Sequence, residues 1–204
     1  MTPPEDTAPP PGDYRLLLPE GWFRILLDPP DQRDKAVAAL VERQFHGIDN
    51  APHLKEDFRK DLRRRATKAA RSGGIELYLS LQEVGPITIP ASLLVTFAPL
   101  RHPNPQPLPL EALADALSTD AEGEATVSIE ELPSGSAVRV RRLTRQPDEE
   151  ATGHAHNSVS VEYHLPVPGS AAFLLLTFST PLEPIADAMA GLFDAIAGSL
   201  AWTE

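Results

Sequence analysis

The chain has 204 residues, of which 42% are hydrophobic and 23% charged, and its formal net charge is −11 at pH 7. That composition is ordinary for a globular protein with one large core or two small ones. The absence of cysteine excludes disulfides, thiolate zinc sites and cysteine nucleophiles, and the acid excess works against coating nucleic acid, where binding rests on neutralising phosphates.

The N-terminus, Met1-Thr-Pro-Pro-Glu-Asp6, has neither the basic stretch nor the apolar run of a secretory signal. No run approaches the roughly 18 apolar residues of a membrane-spanning helix. The expected compartment is the cytoplasm. Residues 1–12 carry five prolines and nothing to bury, so they are expected to form a disordered tail, leaving 13–204 as a single domain. Tyr14 to Leu18 reads as a strand, Pro19-Glu-Gly-Trp22 as a turn, and Phe23 to Leu27 as the hairpin partner of the first strand.

Asp28-Pro29 gives a helix start, with Asp28 as N-cap and Pro29 at the first helical position. Val37, Leu40, Val41, Phe45 and Ile48 then recur at helical spacing, and Gly47 is the expected stop of this helix. A second helix carries Leu54, Phe58, Leu62, Ala66 and Ala69 on one side and ends at Gly73-Gly74, so the two form a helical hairpin. Ile75, Leu77, Leu79 and Leu81 alternate as in a half-buried strand, while Ser92 to Phe97 is apolar on both faces and reads as central. Five prolines between Pro99 and Pro109 make a stiff loop, and Leu110, Leu113, Ala114 and Leu117 a short helix. Strands at 125–131 and 136–145 are joined by a hairpin turn, a polar loop covers 146–155, and Val159, Val161, Tyr163 and Leu165 mark another strand.

Ala171 to Phe178 is an unbroken apolar run, expected to be a strand buried on both faces. Thr180 and Glu183 have capping-box spacing with Pro181 at the first helical position. The helix after them places Ile185, Met189, Leu192, Phe193, Ile196 and Leu200 on one side. The two fully apolar strands would pair, with helices covering both faces. The expected fold is an α+β protein. It is an α/β/α sandwich around a largely antiparallel sheet of six to seven strands, with a helical-hairpin insertion and a C-terminal helix packed on the sheet.

Tyr14-Arg-Leu-Leu-Leu-Pro-Glu-Gly-Trp22 at the start and Phe173 to Trp202 at the end resemble the Mog1/PsbP-like α/β/α sandwich family, with the basic helical hairpin at 31–72 as a departure. The resemblance implies a binding or assembly module rather than an enzyme, and it carries over no functional residue.

Catalytic signatures are absent: there is no Gly-x-Gly-x-x-Gly, Walker A, Gly-x-Ser-x-Gly or His-Glu-x-x-His. His154, His156 and His164 would share one face of a single strand, and three imidazoles suit zinc. Eight residues of strand span roughly 26 Å, however, so one ion cannot join His156 to His164, and no metal or cofactor is expected. Glu130-Glu131 and Asp148-Glu149-Glu150 read as solvated surface. Arg139, Arg141 and Arg145 share one face of a strand, with Arg142 beside them, and read as protection of a sheet edge. Trp22 and Trp202 read as core or rim packing.

The second helix is the distinctive charged feature. Residues 55–71 hold eight Lys/Arg and three Asp/Glu, a local +5 that leaves −16 on the remainder. Lys60, Arg64, Lys68 and Arg71 form one stripe, with Arg59 and Arg63 beside it, and these six residues are the candidate partner-binding set. The functional expectation is a non-enzymatic protein-interaction or assembly module. Its partner would be an acidic protein or a second copy of the chain, not nucleic acid and not a membrane. The alternative is a small-ligand binding protein or cryptic enzyme with a pocket between sheet and helical hairpin.

Overall fold

The computed structural model describes residues 13–48, 50, 52–84, 87–98, 108–119, 125–146 and 156–203. The expected N-terminal tail lies outside them. In chain order the elements are β1 (Asp13–Arg15), β2 (Trp22–Leu26), α1 (Pro30–Gln44), α2 (Pro52–Arg71), β3 (Gly74–Val84), β4 (Ile87–Ala98) and α3 (Leu110–Thr119). They continue with β5 (Ala125–Leu132), β6 (Gly135–Gln146), β7 (His156–Pro166), β8 (Phe173–Thr180), a 3-10 turn at Glu183–Ile185, α4 (Ala186–Gly198) and β9 (Ala201–Thr203).

Seven strands form one antiparallel sheet in the order β2-β3-β4-β8-β7-β6-β5. The two apolar strands do pair, from Ser92 opposite Ser179 to Ala98 opposite Phe173, and β8 is the middle strand. Helices cover both faces. The hairpin α1–α2 closes one face over β2, β3 and β4, burying Ile25, Leu27, Val37, Leu40, Val41, Leu62, Ala66 and Leu77 together. On the other face α4 buries Met189, Phe193 and Ile196 against Leu93, Val95, Tyr163, Leu176 and Phe178. The rings of Phe178 and Phe193 stack at 4.9 Å. The third helix packs on β5 and β6. The architecture is an α+β sandwich with the C-terminal helix on the sheet.

Four local expectations are corrected. β1 does not pair with β2; it pairs with β9, Tyr14 opposite Trp202, while Leu16 and Leu18 pack on the α4 core. Pro19 has no N–H to continue a ladder toward β2. The N-cap of α1 is Pro29, not Asp28, and Pro30 takes the first helical position. A residue before proline is driven to extended geometry, and Pro29, at φ −75° and ψ 161°, obeys this.

The capping box at Thr180 does not form. Thr180 Oγ1 donates to the Pro90 carbonyl at 2.9 Å and accepts the Leu182 N–H at 3.3 Å, and α4 starts only after the 3-10 turn, without a side-chain cap. Ile185 therefore stays 38% exposed instead of joining the apolar side of the helix. Finally, β3 is not half-buried along its described side chains. Glu76 and Tyr78, on the face opposite Leu77, are 6% and 8% exposed.

The junction after α2 requires glycine. Gly73 has φ +85°, and a Cβ on Gly74 would lie 2.7 Å from Leu94 Cδ1 and 2.9 Å from the Ala69 carbonyl.

Candidate functional site

The helix α2 runs twenty residues, and its apolar stripe, centred on buried Leu62 and Ala66, fixes which way its cations point. Positions 60, 64, 68 and 71 recur at helical spacing on the opposite side. The structure divides the six candidate residues into three groups. Arg59 and Arg63 turn toward α1: Arg59 donates to Glu42 at 3.1 Å and to Glu56 at 2.9 Å, and Arg63 to Asp34. Lys55 joins Arg59 on Glu42 at 2.5 Å, and this hydrogen bond, together with Arg59, holds the Glu42 carboxyl below its ordinary range. These cations staple the hairpin to itself.

Arg64 forms the second group. It shares Asp61 with Arg65, whose Nε donates at 2.6 Å. Lys60, Lys68 and Arg71 form the third: among the described residues they make no ion pair. With Arg63, Arg64 and half-buried Thr67 they line an open groove of about 550 Å³. Sequence reasoning located this row. It did not separate the cations that serve the hairpin from those that face solvent, because the separating acids, Asp34 and Glu42, lie on another helix.

The second arginine group has a different role from the one expected. β6 is not an edge; β5 covers it. Arg139 grips Asp194 through Nε at 2.9 Å and a second guanidinium nitrogen at 3.2 Å, and the Tyr163 phenol donates to the same carboxylate at 2.7 Å. Arg141 donates to Asp187 at 2.6 Å. Asp187 and Asp194 lie seven residues, or two turns, apart on α4, so one side of that helix meets both arginines. The arginines pin α4 to the sheet. Arg142, on the opposite face, donates to Glu162 at 3.0 Å. Interaction with His164 first, and with Arg142 next, lowers the Glu162 pKa below the ordinary carboxylate range. The side chain of Arg145 lies outside the described residues.

A third cluster escaped sequence reasoning. The Glu76 carboxylate, 7% exposed, accepts the Tyr14 phenol at 2.6 Å and the Tyr78 phenol at 2.8 Å and pairs with Arg24. Burial, and then the hydrogen bond to Glu76, pushes both phenols well above their ordinary pKa. Glu76 and Tyr78 lie two apart on one face of β3; that spacing was the available signal, and it reads equally well as a solvated face. The cluster latches β1 onto the sheet. Its phenols are held protonated and its carboxylate takes three donors, which suits a structural tie.

The remaining candidates are also placed. His156 opens β7 and His164 lies eight residues along it; His154 and Asp148-Glu149-Glu150 lie outside the described residues. Glu130 accepts the Ser128 hydroxyl at 2.7 Å and Glu131 the Ser136 hydroxyl at 2.8 Å. Trp202 Nε1 donates to the Ser134 carbonyl at 3.1 Å, and Trp22 packs at the rim of the α4 core. Where the helical hairpin meets the sheet, Ile25, Leu27, Val37, Leu40, Val41, Leu62, Ala66 and Leu77 pack into one buried cluster. An open cleft of about 840 Å³ lies elsewhere, where Thr126, Arg141, Leu143 and Val159 face Ile185 and Asp187. Among the described residues no helix is long and apolar enough to cross a membrane.

No family model matches the chain, and no curated protein matches it.

Proposed function

We propose that this protein is a non-enzymatic interaction or assembly module that docks an acidic protein through the outer side of α2. The observation that carries this reading is the row Lys60, Arg64, Lys68 and Arg71. It is exposed and set along a groove, and three of its members make no ion pair among the described residues. In a chain of net charge −11, the exposed cations Lys60, Arg64, Lys68 and Arg71 gather on one side of α2 as a local positive surface. The resemblance to the Mog1/PsbP-like family, and a cytoplasmic location, belong to the same proposal.

The test is affinity capture from the source cells with wild type beside Lys60→Glu/Arg64→Glu/Lys68→Glu, followed by reconstitution with the purified captured protein. An acidic protein bound by the wild type and lost by the folded variant supports the reading. Equal binding by both removes α2 from it. The open cleft beside the start of α4 favours a second reading, a small-ligand binding protein; ligand-dependent thermal stabilisation abolished by filling the cleft through Val159→Trp would establish that instead.

A further inference from the structure

We infer that the element docking on α2 is itself a helix carrying Asp or Glu at four-residue spacing along one side. This deepens the docking role proposed above and rests on it. Lys60, Arg64 and Lys68 follow one another at about 6 Å along the helix axis, and Arg71 extends the row to about 16 Å. A partner helix with carboxylates at i, i+4, i+8 and i+11 repeats the same axial step, which lets successive acids reach successive cations of the row.

Recruiting these cations breaks little. Lys60, Lys68 and Arg71 have no ion pair to give up among the described residues, and Arg64 can leave Asp61 while Arg65 still holds it. Half-buried Thr67 sits low between Arg63, Arg64, Lys68 and Arg71, which leaves a groove for a row of partner side chains. The groove lining has no aromatic side chain for stacking bases and no large apolar side chain for entering a bilayer, and this points away from RNA and from a membrane surface. At physiological ionic strength charges are screened over about 8 Å, so a carboxylate in contact with the row senses these cations more than the distant acid excess.

The experiment uses the full chain and two labelled helical peptides of identical composition, matched in helicity by circular dichroism and read by fluorescence anisotropy. One carries four Glu in a single stripe at i, i+4, i+8 and i+11; the other distributes the same four around the helix. The expected result is binding about tenfold tighter for the striped peptide, equivalent to about 1.4 kcal/mol. That preference disappears in Lys60→Glu/Lys68→Glu/Arg71→Glu and at about 1 M salt, where the screening length falls to about 3 Å. Equal affinity for both peptides, lost in the variant, overturns the helical spacing and leaves the acidic docking role standing. No binding of either peptide overturns both. A single-stranded RNA that binds as tightly as the striped peptide overturns the choice of partner.

Discussion

The chain contains three tyrosines, Tyr14, Tyr78 and Tyr163, and the fold draws each of them to a carboxylate. Burial, then hydrogen bonding to Glu76 or Asp194, raises all three phenol pKa values in the native state. In the unfolded chain a phenol ionises near pH 10. Above that pH the unfolded state releases protons that the native state keeps, so stability falls as pH rises and is unaffected by these groups below it. Each fully buried phenol costs about 1.4 kcal/mol per pH unit above 10. Tyr78 and Tyr163, 8% and 2% exposed, count in full, whereas Tyr14 is only part-buried and counts for less. The two together remove about 5 kcal/mol by pH 12, which reaches the lower end of ordinary domain stability at about 5–15 kcal/mol. The assay is a phenolate absorbance titration run beside far-ultraviolet circular dichroism. Phenolate should stay absent through the range where free tyrosine titrates, then appear in one step that coincides with unfolding. Two or more phenols titrating near pH 10 with secondary structure intact would refute the reasoning.

Asp194→Ala removes the carboxylate that holds Arg139 and Tyr163. Asp194 is itself 41% exposed, so the loss is about 2 kcal/mol and a Tm drop of about 6 °C, against under about 0.5 kcal/mol for Arg141→Ala, whose partner Asp187 is 91% exposed. Equal drops in calorimetry would contradict the greater weight that burial gives the Arg139–Asp194 pair. Gly74→Ala forces a methyl against the Ala69 carbonyl and Leu94 and should cost about 1–3 kcal/mol in urea unfolding; an unchanged midpoint would show that the α2–β3 junction is slack. Glu162, with its pKa lowered, contributes stability above its unfolded pKa that is lost as pH falls through the folded value. Glu162→Gln should therefore flatten the acid limb of the stability curve, and an unaltered limb would refute the Arg142–Glu162–His164 coupling. Deleting residues 182–204 strips Met189, Phe193, Ile196 and Leu200 from the core, each worth about 1.5–3 kcal/mol, and should abolish the cooperative melt.

Most of the long strands and helices, and the pairing of β4 with β8, were legible because apolar spacing reports burial, and burial of apolar surface is the main force driving this chain to fold; β9 and its pairing with β1 were not. Phe173 to Phe178 could only be central, and Leu62 with Ala66 could only face inward. Legibility failed where a polar residue is buried by a distant element. Glu76 reads as a solvent position until Tyr14 arrives from sixty-two residues away. Arg139 and Arg141 read as an edge until α4 supplies Asp194 and Asp187. Thr180 carries a capping signature, yet the Pro90 carbonyl takes its hydroxyl. The basic row on α2 was visible because a helix projects its own periodicity, whereas the subtraction of Arg59 and Arg63 from it depends on α1.

The position of β8 bears on how the chain reaches this state. The middle strand of the sheet is made after the other six, so during synthesis β4 and β7 wait with open edges until residues 173–180 emerge. The earlier strands can form local hairpins, β3 with β4 and β5 with β6 and β7, but these two halves remain unstitched. Such late, long-range closure predicts slow folding, in the range of milliseconds to seconds, and a window in which the apolar flanks of β4 and β7 are available to a chaperone.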